Sequence, residues 1–416
     1  MRGERTSSVL RNQGSYQMHL QSYRRFSGYR MAICLALIGI LWGQTAVRAA
    51  VDGAQSVTVP LIQRGVHLYV QATIDDQPAL MVLDTGAGAN ILTPRAAKRL
   101  KLEKGQGQVS VQGAGGDAPT ASEVKIGKLG VGEATLKAQG AYVIGLPEAL
   151  VCDGLLGTPF FRAWIVQFDY AKLRLTLTPR AAFQPPADAT AVPIHFFNNI
   201  PAVEATVDGI KGQFKIDTGA GDALTLFAPF VEEHHLRGKY MPSLQTVTGR
   251  GVGGLLYGDM VRLPEFSIGS FHFKRITAEL SRQTEGAFAG KENAGNLGGE
   301  VWQRFTLILD YPGSKIFLIP NERYDTPFVA NRSGLALDTD QGLMTIRAVI
   351  PDSPATEAGI HEGDVVLAID GTSVYRIEGW KVREILRGDP GRKVVLHLRA
   401  ADKTERDATL TLRDLI

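Results

Sequence analysis

Two aspartates carry the chemistry that this sequence offers. Asp84 opens the run Asp-Thr-Gly-Ala-Gly at residues 84–88, and Asp217 opens the same five residues at 217–221, 133 positions later. A lone Asp-Thr-Gly says little, because Asp and Gly are ordinary turn residues. A pair says more. Hydrolysis of an amide by carboxyl groups needs one ionised group to take a proton from water and one protonated group to polarise the carbonyl. Two carboxyls held about 3 Å apart cannot both ionise, so they share one proton and divide those roles. Such a dyad titrates as a unit, and the near-identity of the two motifs leaves open which Asp is the acid. Water is the nucleophile in this chemistry, so no metal and no organic cofactor is implied.

The elements that must position these residues come twice. "ALMVLDTGAGANIL" at 79–92 recurs as "GQFKIDTGAGDALTL" at 212–226, and "DGLLGTPFFRAWIVQFDY" at 153–170 aligns without gaps on "AGNLGGEVWQRFTLILDY" at 294–311. The second offset is 141, so the second copy carries about eight extra residues between its blocks. Two blocks repeated in the same order mark a duplicated domain. In each copy a β-branched run (67–74, 202–207) ends in an acidic turn, and a second strand leads straight into the Asp. Short helices opened by proline are expected at 94–100 and 229–236. Glycine-rich hairpins follow at 113–116 and 249–254, and alternating strands around 165–177 and 305–319. The Pro- and Ala-rich stretch 179–193 reads as a linker, and a second break falls near 324–333.

These features resemble the aspartic peptidases, specifically the retroviral-type (retropepsin-like) branch, duplicated in one chain as in the pepsin-like enzymes. The residues that carry the likeness are the two Asp-Thr-Gly-Ala runs and the segments "GLLG" at 154–157 and "GNLGG" at 295–299, within roughly residues 56–322. The resemblance implies that Asp84 and Asp217 are the catalytic pair. It implies that Thr85 and Thr218 bond across the lobe interface, and that Gly86 and Gly219 turn the backbone and donate to the carboxylates. Gly113, Gly115, Gly251 and Gly253 would lie in flaps closing over substrate. The second copy departs from the pattern at Asn296, a polar residue where the first copy has Leu155 and the family packs an apolar one. Both positions after Asp-Thr-Gly are Ala (Ala87, Ala220), so the hydroxyl that stabilises the ionised Asp in pepsin-like enzymes is missing. A pH optimum nearer mildly acidic or neutral is expected.

Several other signals are weaker. Gly249–Gly254 matches G-x-G-x-x-G, but no strand-helix-strand unit surrounds it, as dinucleotide binding requires. The adjacent His234 and His235 do not share a helix face as a zinc motif would. Cys152 reads as a small buried side chain.

Residues 326–416 form a separate unit, in which "SPATEAGIHEGDVV" at 353–366 closely resembles the PDZ domains of bacterial envelope proteases. By that resemblance Gly334, Leu335, Ala336 and Leu337 would receive a peptide's C-terminal carboxylate. The bound peptide would add a strand against the helix around Val382. The fold expected for the whole is mainly β: a bilobal, acid-protease-like pair of β-barrels (56–180 and 192–322), then a PDZ-like β-sandwich with two helices.

Composition fits this picture. Glycine makes up 46 of 416 residues, about 11% against ~7% on average, as expected of a protein with many tight turns. Residues 1–50 hold seven Arg and one acid, Glu4, so the rest of the chain is close to neutral against the formal total of +3. That excludes the electrostatic footprint of a nucleic-acid binder. A basic stretch, the apolar run 31–42 and the small residues 46–50 have the layout of a secretory signal, with Met18 or Met31 as alternative starts. A periplasmic or secreted location is expected, and a membrane association only if that segment stays uncleaved. Cys34 falls within it, leaving Cys152 alone, so no internal disulfide is available. Expected partners are protein or peptide substrates and a C-terminal peptide ligand at the PDZ groove. The rival reading is an inactive, protease-like peptide-binding adaptor of the cell envelope.

Overall fold

The computed structural model describes residues 55–416; the segment read as a signal or anchor, 1–50, lies outside the described residues. In the first copy, His67–Ile74 and Gln77–Leu83 form a hairpin whose turn residues, Asp75 and Asp76, both have positive φ. Apolar side chains of both strands are buried, and the second strand stops at Asp84. Gly154–Leu156 then pairs in parallel with Met81–Leu83 on one side and antiparallel with Ile91–Leu92 on the other. It thereby locks the loop that holds Asp84 between two strands. The second copy repeats the arrangement with Ile210–Ile216, Leu224–Leu226 and Gly295–Leu297. Val82 lies opposite Leu155 in the first copy, and Lys215 opposite Asn296 in the second.

The sheets curl like barrels but do not close. Eight strands of the first copy form one sheet, while a second sheet of thirteen strands runs from the first copy into the second. The junction is the antiparallel pair Ile165–Asp169 and Phe305–Asp310. The repeat offset maps Val166 onto Leu307 and Phe168 onto Leu309. The observed partners are Val166 with Leu309 and Phe168 with Leu307, and Gln167 faces its own image, Ile308. A pseudo-twofold axis therefore passes between Gln167 and Ile308. Strand Val57–Pro60 on one side and Thr190–Phe197 on the other complete the symmetric set. The stretch read as a linker is shorter than its composition suggests, because strand resumes at Thr190 and includes Pro193. One apolar core runs through both copies and takes in Phe328.

Residues 335–411 build a third, six-stranded sheet with helices Pro354–Glu357 and Gly379–Leu386. It has its own core around Ile346, Val366, Leu396 and Leu410, which is the mark of a separate domain. Leu335–Asp340 is an edge strand of that sheet. No helix among the described residues is long and apolar enough to cross a membrane.

Candidate active site

Residues 133 apart in sequence meet at the axis. The Thr85 hydroxyl donates to the Ile216 carbonyl (2.7 Å) and accepts from the Thr218 amide (3.0 Å). Reciprocally, the Thr218 hydroxyl donates to the Leu83 carbonyl (2.7 Å) and accepts from the Thr85 amide (3.1 Å). Both threonines are fully buried. These four bonds satisfy every polar atom that two buried hydroxyls bring, so the grip costs no unpaired group. Gly86 donates its amide to Asp84 Oδ1 (2.8 Å) and Gly219 its amide to Asp217 Oδ1 (2.9 Å). A methyl on Gly86 would fall on the Asp217 carboxylate, and one on Gly219 on that of Asp84. The two carboxyls face each other across the axis, and each shifts the titration of the other. The structure thus brings together all six residues of the two motifs that the sequence singled out.

Burial and the charge of Asp217 hold the Asp84 carboxyl well above the usual carboxylate range. Burial also raises Asp217, but donors to its charged form oppose the rise: the Asn296 amide first, then Gly219, then Asp84 itself. Asn296 Nδ2 stands 2.9 Å from Asp217 Oδ2. The polar departure at 296 is therefore a partner of the carboxylate, and it is buried without disturbing the strand that carries it. Lys215 adds positive charge to the same side, with its own pKa lowered by burial. Below the site, His67 Nε2 donates to the Gly219 carbonyl (3.0 Å), which fixes its tautomer. Burial pulls its pKa down to about 4, so it is neutral.

The glycine-rich hairpins meet tip to tip. The Gly115 amide donates to the Val252 carbonyl and the Asp117 amide to that of Gly253, both at 2.9 Å. Gly113 accepts from the Ala287 amide at 2.8 Å. Gly253 (φ 90°) and Gly254 (φ 116°) occupy backbone conformations open to glycine, and Gly251 ends the strand leading into that turn. Val252 packs on an apolar cluster of the first copy that includes Leu155, Cys152 and Ala87 of the Asp84 loop. Cys152 is buried there, with its thiol pushed up to about 11.

Residues 70–160 and 203–301 match the aspartyl protease family, and 345–399 match the PDZ domain. The chain carries a duplicated aspartyl protease domain and a PDZ domain. Among solved structures it is similar to a retropepsin-like aspartic protease from Rickettsia conorii, at 19% identity over 30% of this chain and 90% of that one, with a TM-score of 0.23. It is also similar to the aspartic proteinase from Irpex lacteus, at 12% identity over 65% of this chain and 99% of that one, with a TM-score of 0.43. No curated protein matches the chain.

The PDZ domain packs against both protease copies. Its edge strand Leu335–Asp340 lies beside Leu244–Gly251, the first strand of the second glycine-rich hairpin. There Arg250 makes a bidentate ion pair with buried Asp338, at 2.8 and 2.6 Å. From helix Gly379–Leu386, Arg383 donates to the Gly221 carbonyl of the Asp217 loop at 2.8 Å, and Arg387, just past the helix end, pairs with buried Glu300. Glu148 of the first copy accepts from the Gln341 and Gly342 amides. In the loop before the edge strand, Gly334 has φ 81° and the Leu335 amide donates to Ser333 Oγ at 3.1 Å. Ala336 and Leu337 pair with Ala348 and Ile346 across a bulge. Nothing in the sequence signalled the contact between flap and PDZ domain, since each ion-pair partner reads alone as a solvated charge.

Proposed function

We propose that this chain is an aspartic endopeptidase acting outside the cytoplasm, which cleaves extended peptide segments held between the flaps and the Asp84–Asp217 pair. The observation that carries the reading is two carboxyls facing each other on loops pinned by reciprocal threonine bonds across a pseudo-twofold axis. A pair holding one proton contains both groups the reaction needs. The ionised carboxylate takes a proton from water as the water oxygen bonds to the scissile carbon, and the protonated carboxyl gives its proton to the carbonyl oxygen. The diol then collapses: the C–N bond breaks, the nitrogen leaves with the proton taken from water, and the diol returns the other proton to the pair. The balance closes with one proton on the dyad.

In this reading the PDZ domain binds the C-terminus of a substrate or partner peptide along Leu335–Asp340, with Gly334 to Leu337 at the carboxylate end. The edge position of that strand supports the assignment. Its place beside the second flap puts a bound chain next to the cleft.

The test is cleavage of a denatured protein by purified wild type, Asp84→Asn and Asp217→Asn across pH 2–8. Each substitution is expected to lower the rate by on the order of 10³-fold or more. The wild-type optimum is expected in the mildly acidic to neutral range, because burial raises both carboxyls. A profile peaking below about pH 3 contradicts that expectation. A folded wild type that cleaves nothing at any pH favours the peptide-binding adaptor.

A further inference from the structure

The site is symmetric in its backbone and asymmetric in its charge. Asp84 and Asp217 each receive an amide from the glycine two residues on, and the Ala87 amide also favours charge on Asp84. Beyond that they differ. Position 155, on the strand beneath the Asp84 loop, is leucine and donates nothing. Its equivalent, 296, has the same register and places an amide 2.9 Å from Asp217 Oδ2. We propose that Asn296 is a positioning residue that holds the negative charge of the pair on Asp217 and leaves the proton on Asp84. Asp217 is then the base that takes the proton from water, and Asp84 the acid that protonates the carbonyl oxygen. The assignment deepens the peptidase reading and rests on it for its catalytic meaning.

The amide is suited to this work. A carboxamide N–H can only donate, so the bond exists fully with a carboxylate and weakens when Asp217 Oδ2 is protonated. Asn296 is buried, so water does not compete for the contact. Its side chain carries no charge and adds no titration of its own. The charged and titratable groups facing the pair from other elements act unequally. Lys215, on the strand entering Asp217, favours charge on that side, where the first copy has Val82. Tyr311, just after the interlobe strand Phe305–Asp310, feels both carboxyls, with its own ionisation pushed far up by burial. Cys152 lies nearer Asp84 and Asp222 nearer Asp217, while His67 is neutral behind Gly219. Asp222, raised to about 6 chiefly by burial, opposes charge on Asp217. Against it and the weaker Ala87 amide on Asp84 stand the direct Asn296 bond, the largest of the effects that favour charge on Asp217, and one nearby ammonium.

Two measurements test the proposal. The first does not depend on activity: ¹³C NMR of the wild-type Asp carboxyl carbons, assigned with Asp84→Asn and Asp217→Asn. At the plateau where the pair holds one proton, Asp217 is expected at a carboxylate shift and Asp84 at a carboxylic acid shift. Equal or reversed shifts overturn the assignment. The second is the pH dependence of kcat/KM in Asn296→Leu, Leu155→Asn and the double exchange. Asn296→Leu removes a donor to the charged form, so the acidic limb is expected to move up by about one pH unit. The double exchange transfers the donor to Asp84 and is expected to bring the limb back down while Asp84 takes the carboxylate shift. A limb unmoved in folded Asn296→Leu, or a folded double exchange no better than Asn296→Leu, overturns it. If the wild type cleaves nothing, the peptidase reading fails and the carboxyl spectra still decide where the proton sits.

Discussion

The two protease copies agree in the bonds that hold the two aspartate loops together and differ in the side chains around them. The threonine bonds match to within a tenth of an ångström or so, and each glycine covers the opposite carboxylate. Around them the first copy has Val82, Ile91, Tyr142 and Leu155, while the second has Lys215, Thr225, Glu279 and Asn296 in the corresponding positions. Duplication in one chain makes this possible. A pair built from two identical chains must repeat every side chain, whereas one polypeptide can keep the grip and vary its surroundings.

The equal part should break equally. Gly86→Ala and Gly219→Ala each place a methyl on the carboxylate across the axis. Because displacing a reacting group by about 1 Å costs on the order of 10²-fold, kcat/KM should fall by roughly 10²–10³-fold in each variant. Steady-state kinetics that find one tolerated and the other inactive would show that the copies do not contribute alike.

The unequal part shows in stability. Glu279 is buried, one of its oxygens has no hydrogen-bond partner, and burial raises its pKa to about 8. An unfolded Glu ionises near 4.3. Between those values the folded chain keeps a proton that the unfolded chain has released. Stability is therefore unaffected below the unfolded value, falls as pH rises through the window, and levels off above the folded value. Glu279→Gln should remove that slope, making the variant more stable than wild type at pH 8 by on the order of 3 kcal/mol. The two should be close to equal at pH 4. Denaturant unfolding at the two pH values reads the difference; the same slope in both proteins would place the cause elsewhere.

Much of this was legible in the sequence because it repeats. Two Asp-Thr-Gly runs at the ends of apolar strands gave the pair, and the second repeated block gave the strand that locks each loop. Other features leave no local mark. Ile165–Asp169 and Phe305–Asp310 are apolar strands whose sequences do not name a partner, so their joining of the copies into one sheet was missed. The Pro and Ala content of 179–193 reads as a linker, yet Pro193 takes a strand position in Thr190–Phe197, which proline tolerates where no donor is needed. Asn296 was visible as an exception, but residue type alone does not tell a polar side chain that disturbs packing from one that serves a carboxylate.

The copies differ last in what holds their flaps, and the smallest effect is expected there. Arg250 of the second flap reaches Asp338 with two short bonds, and Asp338 is buried while Arg250 stays partly exposed. Bidentate, charge-assisted contacts of this kind are stronger than neutral ones, although desolvating Asp338 offsets part of the gain. Arg347 also approaches Asp338, at 3.4 Å, so removing Arg250 does not leave the carboxylate alone. A double-mutant cycle on Arg250→Ala and Asp338→Ala should therefore give a coupling of about 1 kcal/mol. The same pair should couple in KM for a long peptide substrate, because flap opening must part the ion pair. Coupling in stability but none in KM would mean that the flap opens without moving Arg250. Coupling in neither would mean that Arg347 alone satisfies the carboxylate, and that the second flap is as free of the PDZ domain as its partner tip.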